Sequence, residues 1–68
     1  MCNIEIVYKD NFHVTFEDII YAEYTPFKTI RVSEKDLLTY SFPTGHDISF
    51  HSQNNAYIIN GTKVKSII

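Results

Sequence analysis

The chain predicts a small all-β domain, an antiparallel barrel or sandwich of SH3-like or OB-like form with six or seven short strands. Three observations predict it. Apolar and polar residues alternate with period two from Ile4 to Ile68. Turn residues break that alternation at short intervals, and no long stretch repeats apolar residues at helical spacing.

From Asn3 to Lys9, Ile4, Ile6 and Tyr8 share one face and Glu5 and Lys9 the other. Asp10-Asn11 signals a turn, after which Val14 and Phe16 resume in phase. Two registers compete for this first hairpin. A two-residue loop pairs Tyr8 with His13 and Ile6 with Thr15, setting apolar against polar residues. A three-residue loop aligns Tyr8 with Val14 and Ile6 with Phe16, which suits burial. It asks Phe12 for a positive φ, which a bulky side chain resists. A bulge reconciles the two demands.

Glu17-Asp18 is a polar break. Ile19 to Tyr24 fits either a strand or a short helical turn, and the strand is favoured. Ile20, Ala22 and Tyr24 alternate while Tyr21 and Glu23 face the other way. Pro26 biases Thr25 towards extended backbone and cannot donate in a ladder. Lys28 to Ser33 reads as a half-buried strand, with Ile30 and Val32 flanking Arg31. Ser33 to Asp36 is a solvated connection or one turn of helix capped by Ser33.

Leu37 to Phe42 is expected as a strand with Leu38, Tyr40 and Phe42 in phase, closed by a Pro43-Thr44-Gly45 loop. Ile48 and Phe50 then oppose Asp47, Ser49 and His51, and Ser52 to Asn55 forms a polar loop. The last element is a C-terminal Asn-Gly hairpin. Asn60-Gly61 joins Tyr57-Ile58-Ile59 to Thr62-Lys63-Val64 through a type I′ turn, setting Tyr57 against Val64 and Ile59 against Thr62. Val64, Ser66 and Ile68 continue that phase.

Sixty-eight residues make one domain, 1–68. A chain this short buries only roughly 60% of its unfolded surface. Cys2 is the single cysteine, so no internal disulfide helps. The three histidines lack zinc-like spacing, and neither metal nor cofactor is expected. Stability must come from dense packing, for which five Tyr and five Phe suffice, or from a homo-oligomer.

A net charge of −2, with six scattered Lys and Arg, argues against nucleic acid as partner, because phosphate binding needs a basic stripe. No apolar run approaches a membrane span, and the N-terminus lacks the basic and apolar stretches of a secretory signal. The expected location is the cytoplasm, and Met1 reads as the start of a complete small gene product.

No catalytic residues are expected. Asp47, Ser49 and His51 are the residue types of a hydrolase triad, but they alternate along one strand, about 7 Å apart. A nucleophile and its base must approach to about 3 Å, so a solvent face explains them better. His13, His46 and His51 would need the fold to gather them before they held a metal. Tyr21, Tyr24 and Phe27, with Lys28 and Arg31, form an aromatic-basic cluster around Pro26. Such a cluster suits stacked bases or a protein hot spot. The simpler account puts Tyr24 and Phe27 in the core. Tyr21, Glu23, Phe27 and Arg31 are the expected partner contacts.

Tyr8-Lys9-Asp10, then Phe16 and Ile19, then Ser41-Phe42-Pro43 and Ile48 give a further indication. This pattern resembles short orphan accessory proteins of Gram-positive phages and mobile elements. Those open on a Tyr-Lys-Asp-Gly hairpin and place a Phe-Pro step before a late strand. Asn11 stands here in place of the glycine, and the Asn60-Gly61 segment lies beyond the matched stretch. The resemblance implies a cytosolic accessory protein acting on a host system.

The first expectation is thus a non-enzymatic phage-type protein that binds and inhibits a bacterial host or defence protein, such as an anti-CRISPR. Its partner would be a protein of unknown identity. The alternatives are an oligomeric sponge for a nucleotide signal and a nucleic-acid-associated module.

Overall fold

The computed structural model describes residues 2–68, and it is all-β. Seven strands follow in order: β1 (Cys2–Tyr8), β2 (His13–Ile19), β3 (Tyr21–Tyr24), β4 (Ile30–Ser33), β5 (Ile48–His51), β6 (Ala56–Ile59) and β7 (Val64–Ile67). Single 3₁₀ turns at Glu34–Asp36 and Gly61–Lys63 are the only helical geometry among the described residues. The strands form two antiparallel sheets, ordered β2-β1-β7 and β4-β3-β5-β6. The sheets do not close into a barrel. Ile20 alone separates β2 from β3, so one nearly continuous stretch of chain serves both sheets.

Period-two alternation sorts the side chains. Ile4 and Ile6 of β1, Ala22 and Tyr24 of β3, Ile48 and Phe50 of β5, and Ile59 of β6 all point into one shared core. A string of rings crosses it. Tyr57 stacks on Phe16 at 4.6 Å, Phe16 lies 6.0 Å from Phe50, and Phe50 meets Phe42 edge-on at 5.5 Å. Offset and edge-to-face arrangements are the ones ring quadrupoles favour.

The first hairpin adopts neither expected register. Ile6 faces Val14 and Ile4 faces Phe16, with Tyr8 N–H donating to the Phe12 carbonyl at 2.9 Å. The positive φ falls on Asn11, at 68°, and not on Phe12. Asn tolerates the left-handed region because its short polar side chain bonds locally. A bulge does appear, further along: Glu17 and Asp18 together oppose Asn3, with Asp18 at φ 59° and its N–H donating to Asn3 Oδ1 at 3.3 Å. A bulge of this kind bends its strand, and this one lies just before the chain passes from β2 into β3 of the second sheet.

The segment Ile19 to Tyr24 is extended and not helical, as favoured: Ile19 ends β2, Ile20 links, and Tyr21–Tyr24 form β3. Leu37 to Phe42 is not a strand. Leu37 is buried, Leu38 is exposed, and Tyr40 and Phe42 pack on the core from irregular chain. No neighbouring strand offers this segment a ladder, so its apolar side chains and a few local hydrogen bonds to Glu34 and Asp36 hold it down. Above it, the Tyr40 hydroxyl hydrogen-bonds the Tyr24 hydroxyl.

The C-terminal Asn-Gly hairpin is also absent. β6 pairs with β5 and β7 pairs with β1, so the residues around Asn60-Gly61 belong to different sheets. Asn60 has φ −86° and caps the 3₁₀ turn, its Oδ1 accepting from Thr62 N at 3.1 Å and Thr62 Oγ1 at 2.7 Å. Gly61 is required for closeness, since a Cβ there would overlap the His46 backbone. A β-bulge at Lys65 then shifts the phase of β7. Ile67 packs on the core in place of the expected Ser66 and Ile68.

Candidate functional site

The outer face of the four-stranded sheet carries the candidate site. Its register sets Glu23 beside Arg31 and Ser49, and Tyr21 beside Ser33 and His51. Ser49 lies in turn beside Ile58, and His51 beside Ala56. All these side chains point away from the core, because Ala22, Tyr24, Ile48, Phe50 and Ile59 take the alternate positions.

Tyr21 is held from both sides. The His51 ring stacks on it at 4.3 Å with an interplanar angle of 8°. The Arg31 guanidinium carbon lies 4.4 Å from the ring centroid, a cation–π distance. His51 and Arg31 come from β5 and β4, the two strands flanking β3. Glu23 joins them through its two oxygens: Arg31 Nε donates to Oε2 at 3.1 Å, and His51 Nε2 stands 3.8 Å from Oε1.

Ser49 completes the network. Its hydroxyl donates to the Glu23 backbone carbonyl at 3.3 Å, and its oxygen lies 2.9 Å from His51 Nε2. With the Ser49 proton on the carbonyl, His51 Nε2–H is the donor to Ser49. That overturns the expected separation of about 7 Å, because strand spacing sets the distance between Cα atoms and the imidazole spans the gap. The polarity is the reverse of a nucleophile and its base. In a triad the hydroxyl donates to the imidazole, and the acid binds the other ring nitrogen. Here the Ser49 oxygen and the Glu23 carboxylate both sit at Nε2.

Asp47 lies outside this network, accepting from Gly61 N at 3.2 Å. The histidines are dispersed: His13 pairs with Glu5 at 3.4 Å on the other sheet, and His46 lies against the Tyr24 ring. Among the described residues, no three His, Cys, Asp or Glu side chains gather to hold a metal.

Comparison with protein-family profiles, characterised proteins and solved structures finds no match to this chain.

Three of the four expected contact residues, Tyr21, Glu23 and Arg31, are brought together. The fourth, Phe27, stands apart on the loop between β3 and β4, where it is 100% exposed. Tyr24 leaves the expected aromatic cluster for the core. There the Tyr40 hydrogen bond and burial raise its phenol above the ordinary 10.0.

Ser49 and His51 are the members that sequence reasoning did not join to Tyr21. The usable signal was their polar phase opposite Ile48 and Phe50. Their pairing partner lies far along the chain, and alternation does not name it. Beside the network, an open depression of about 620 Å³ is lined by Glu23, Thr25, Thr29, Asp47, Ser49 and Ile58.

Proposed function

We propose that this chain is a non-enzymatic binding protein. The outer face of the four-stranded sheet is its contact surface, with Tyr21, Glu23, Phe27 and Arg31 as the principal contacts. One observation carries the proposal: Tyr21 is clamped between Arg31 and His51 on a face that contributes nothing to the core. Aromatic and guanidinium groups dominate binding hot spots. Groups already ordered by the fold lose less conformational freedom on association. Phe27 adds apolar area that only a partner can cover.

The partner we propose is a protein of a bacterial host or of its defence system, bound and inhibited in the host cytoplasm. That part rests on the resemblance to phage and mobile-element accessory proteins, with an anti-CRISPR as its sharpest form. We read the scaffold as an SH3-like or OB-like barrel left open between β6 and β7. A nucleotide sponge has less support, because Glu23 and Asp47 line the adjacent depression and repel phosphates. Nucleic acid is disfavoured by the net charge of −2.

The test is affinity capture from bacterial host lysate, run in parallel with the wild type and the Tyr21→Ala/Arg31→Ala variant. The expected result is a host protein retained by the wild type and lost by the variant, with the two melting temperatures alike. Equal capture by both would remove this face as the contact surface.

A further inference from the structure

The two sheets have four edge strands, β2, β7, β4 and β6. An open edge offers unpaired N–H and C=O groups to any extended chain, and proteins blunt such edges with charges, prolines and bulges. Three of these edges carry such devices. β2 contains His13, Glu17 and Asp18 and the bulge opposite Asn3. β7 contains Lys65 at its own register shift, and β4 contains Arg31.

β6 reads Ala56-Tyr57-Ile58-Ile59, without a charge, a proline or a register shift. In an antiparallel ladder alternate residues turn their backbone groups away from the neighbour. Among the described residues, no backbone bond ties Ala56–Ile59 to any element besides β5. Ile58, at 77% exposed, stands on the outer face directly beside this free edge.

We propose that β6 pairs antiparallel with β6 of a second copy of this chain, joining two four-stranded sheets into one of eight. A second copy is the occupant favoured by charge. The edge is neutral, so identical strands meet around a twofold axis with no like charges opposed, as an isologous contact requires. The twofold brings the two Ile58 side chains together and removes both from water. No charge, proline or bulge has to be removed first, since β6 carries none.

The pairing also places two copies of the Tyr21, Glu23 and Arg31 cluster on one continuous face, β3 and its mate being five strand spacings, about 24 Å, apart. The dimer does not depend on what that cluster binds. A four-residue edge buries little area, so dissociation is expected in the range of about 10–100 μM.

The experiment is analytical ultracentrifugation of the full chain over a concentration series from about 1 μM to about 1 mM, roughly a thousand-fold span that brackets the expected constant. Three forms are compared: wild type, Ile58→Lys and Phe12→Lys, the last a charge on an exposed apolar residue of the β1–β2 hairpin, in the other sheet. Wild type and Phe12→Lys are expected to reach dimer mass. Ile58→Lys, which sets two ammonium groups across the axis, should dissociate at least about tenfold more readily with its melting temperature unchanged. Hydrogen exchange should show β6 amides gaining protection with concentration. Three outcomes overturn the proposal: a wild type monomeric throughout, a dimer that Ile58→Lys leaves intact, or protection gained at another edge.

Discussion

The two faces of the four-stranded sheet are made by the same strands, yet different forces hold them. On the inner face Ala22, Tyr24, Ile48, Phe50 and Ile59 pack into the shared core, where burial is non-directional and grows with area. On the outer face Tyr21, Glu23, Arg31, Ser49 and His51 are fixed by angles and distances: two stacked rings, a guanidinium over one of them, and a carboxylate between two cations or donors. The three-stranded sheet supplies a control. Its outer face carries Glu5, His13 and Thr15, with a single ion-pair contact of 3.4 Å between exposed groups. Solvent exposure alone therefore does not produce an ordered network. The order on β3, β4 and β5 comes from placing an aromatic at the centre of the sheet with polar residues in register on both sides.

The sharpest way to break the contrast is to empty the inner face. Phe50 is fully buried, between Phe16 and Phe42 in the ring string. Phe50→Ala is expected to cost about 3–5 kcal/mol. That is comparable to the whole stability of a small domain. Denaturant melts should show the variant largely unfolded, with the outer network lost along with its scaffold. A folded Phe50→Ala protein would mean that the outer network holds the sheet together, and the contrast would collapse.

How far the sequence foretold these faces depends on how local each feature is. Alternation alone placed Ile4, Ile6, Ala22, Tyr24, Ile48 and Phe50 inside and Tyr21, Glu23, Ser49 and His51 outside, because strand period is a property of the chain itself. It failed at Leu37 to Phe42, where spacing suits a strand but no partner strand exists. It failed also at Asn60-Gly61, whose residue types fit a type I′ turn and equally fit a cap followed by a close approach to His46. The bulges at Asp18 and Lys65 shift phase by one residue, which propensity does not register. The candidate site was half legible. Tyr21, Glu23 and Arg31 lie close in the chain, whereas His51 and Ser49 reach them only through the β3–β5 pairing.

An intermediate effect lies where the irregular Leu37 to Phe42 segment meets the inner face. The Tyr40 hydrogen bond, with burial, raises the Tyr24 phenol above 10.0. The folded state thus holds the Tyr24 proton more tightly than the unfolded chain does. This contribution to stability is complete below pH of about 10 and falls away as pH rises through the folded value. Wild type should therefore lose stability on going into the alkaline range. Tyr40→Phe removes the main cause, so its stability should vary less over the same range, and an absorbance titration of the phenolates should show Tyr24 ionising earlier. Identical alkaline profiles for the two proteins would show that the hydroxyl pair is not coupled.

The smallest expected effect on stability belongs to the outer network itself, and its smallness is what makes the contrast informative. The Arg31 and Glu23 side chains are 61% and 26% exposed, so water screens their 3.1 Å contact. A double-mutant cycle on Glu23→Gln and Arg31→Gln should give a coupling of about 0.2–1 kcal/mol, the range of exposed ion pairs. Arg31→Lys, made separately, keeps the charge but loses the guanidinium over the Tyr21 ring, so binding should suffer far more than folding. If the coupling instead exceeded about 2 kcal/mol, beyond what screened surface pairs supply, the network would be a structural brace. The order around Tyr21 would then reflect the needs of the sheet and not those of a partner.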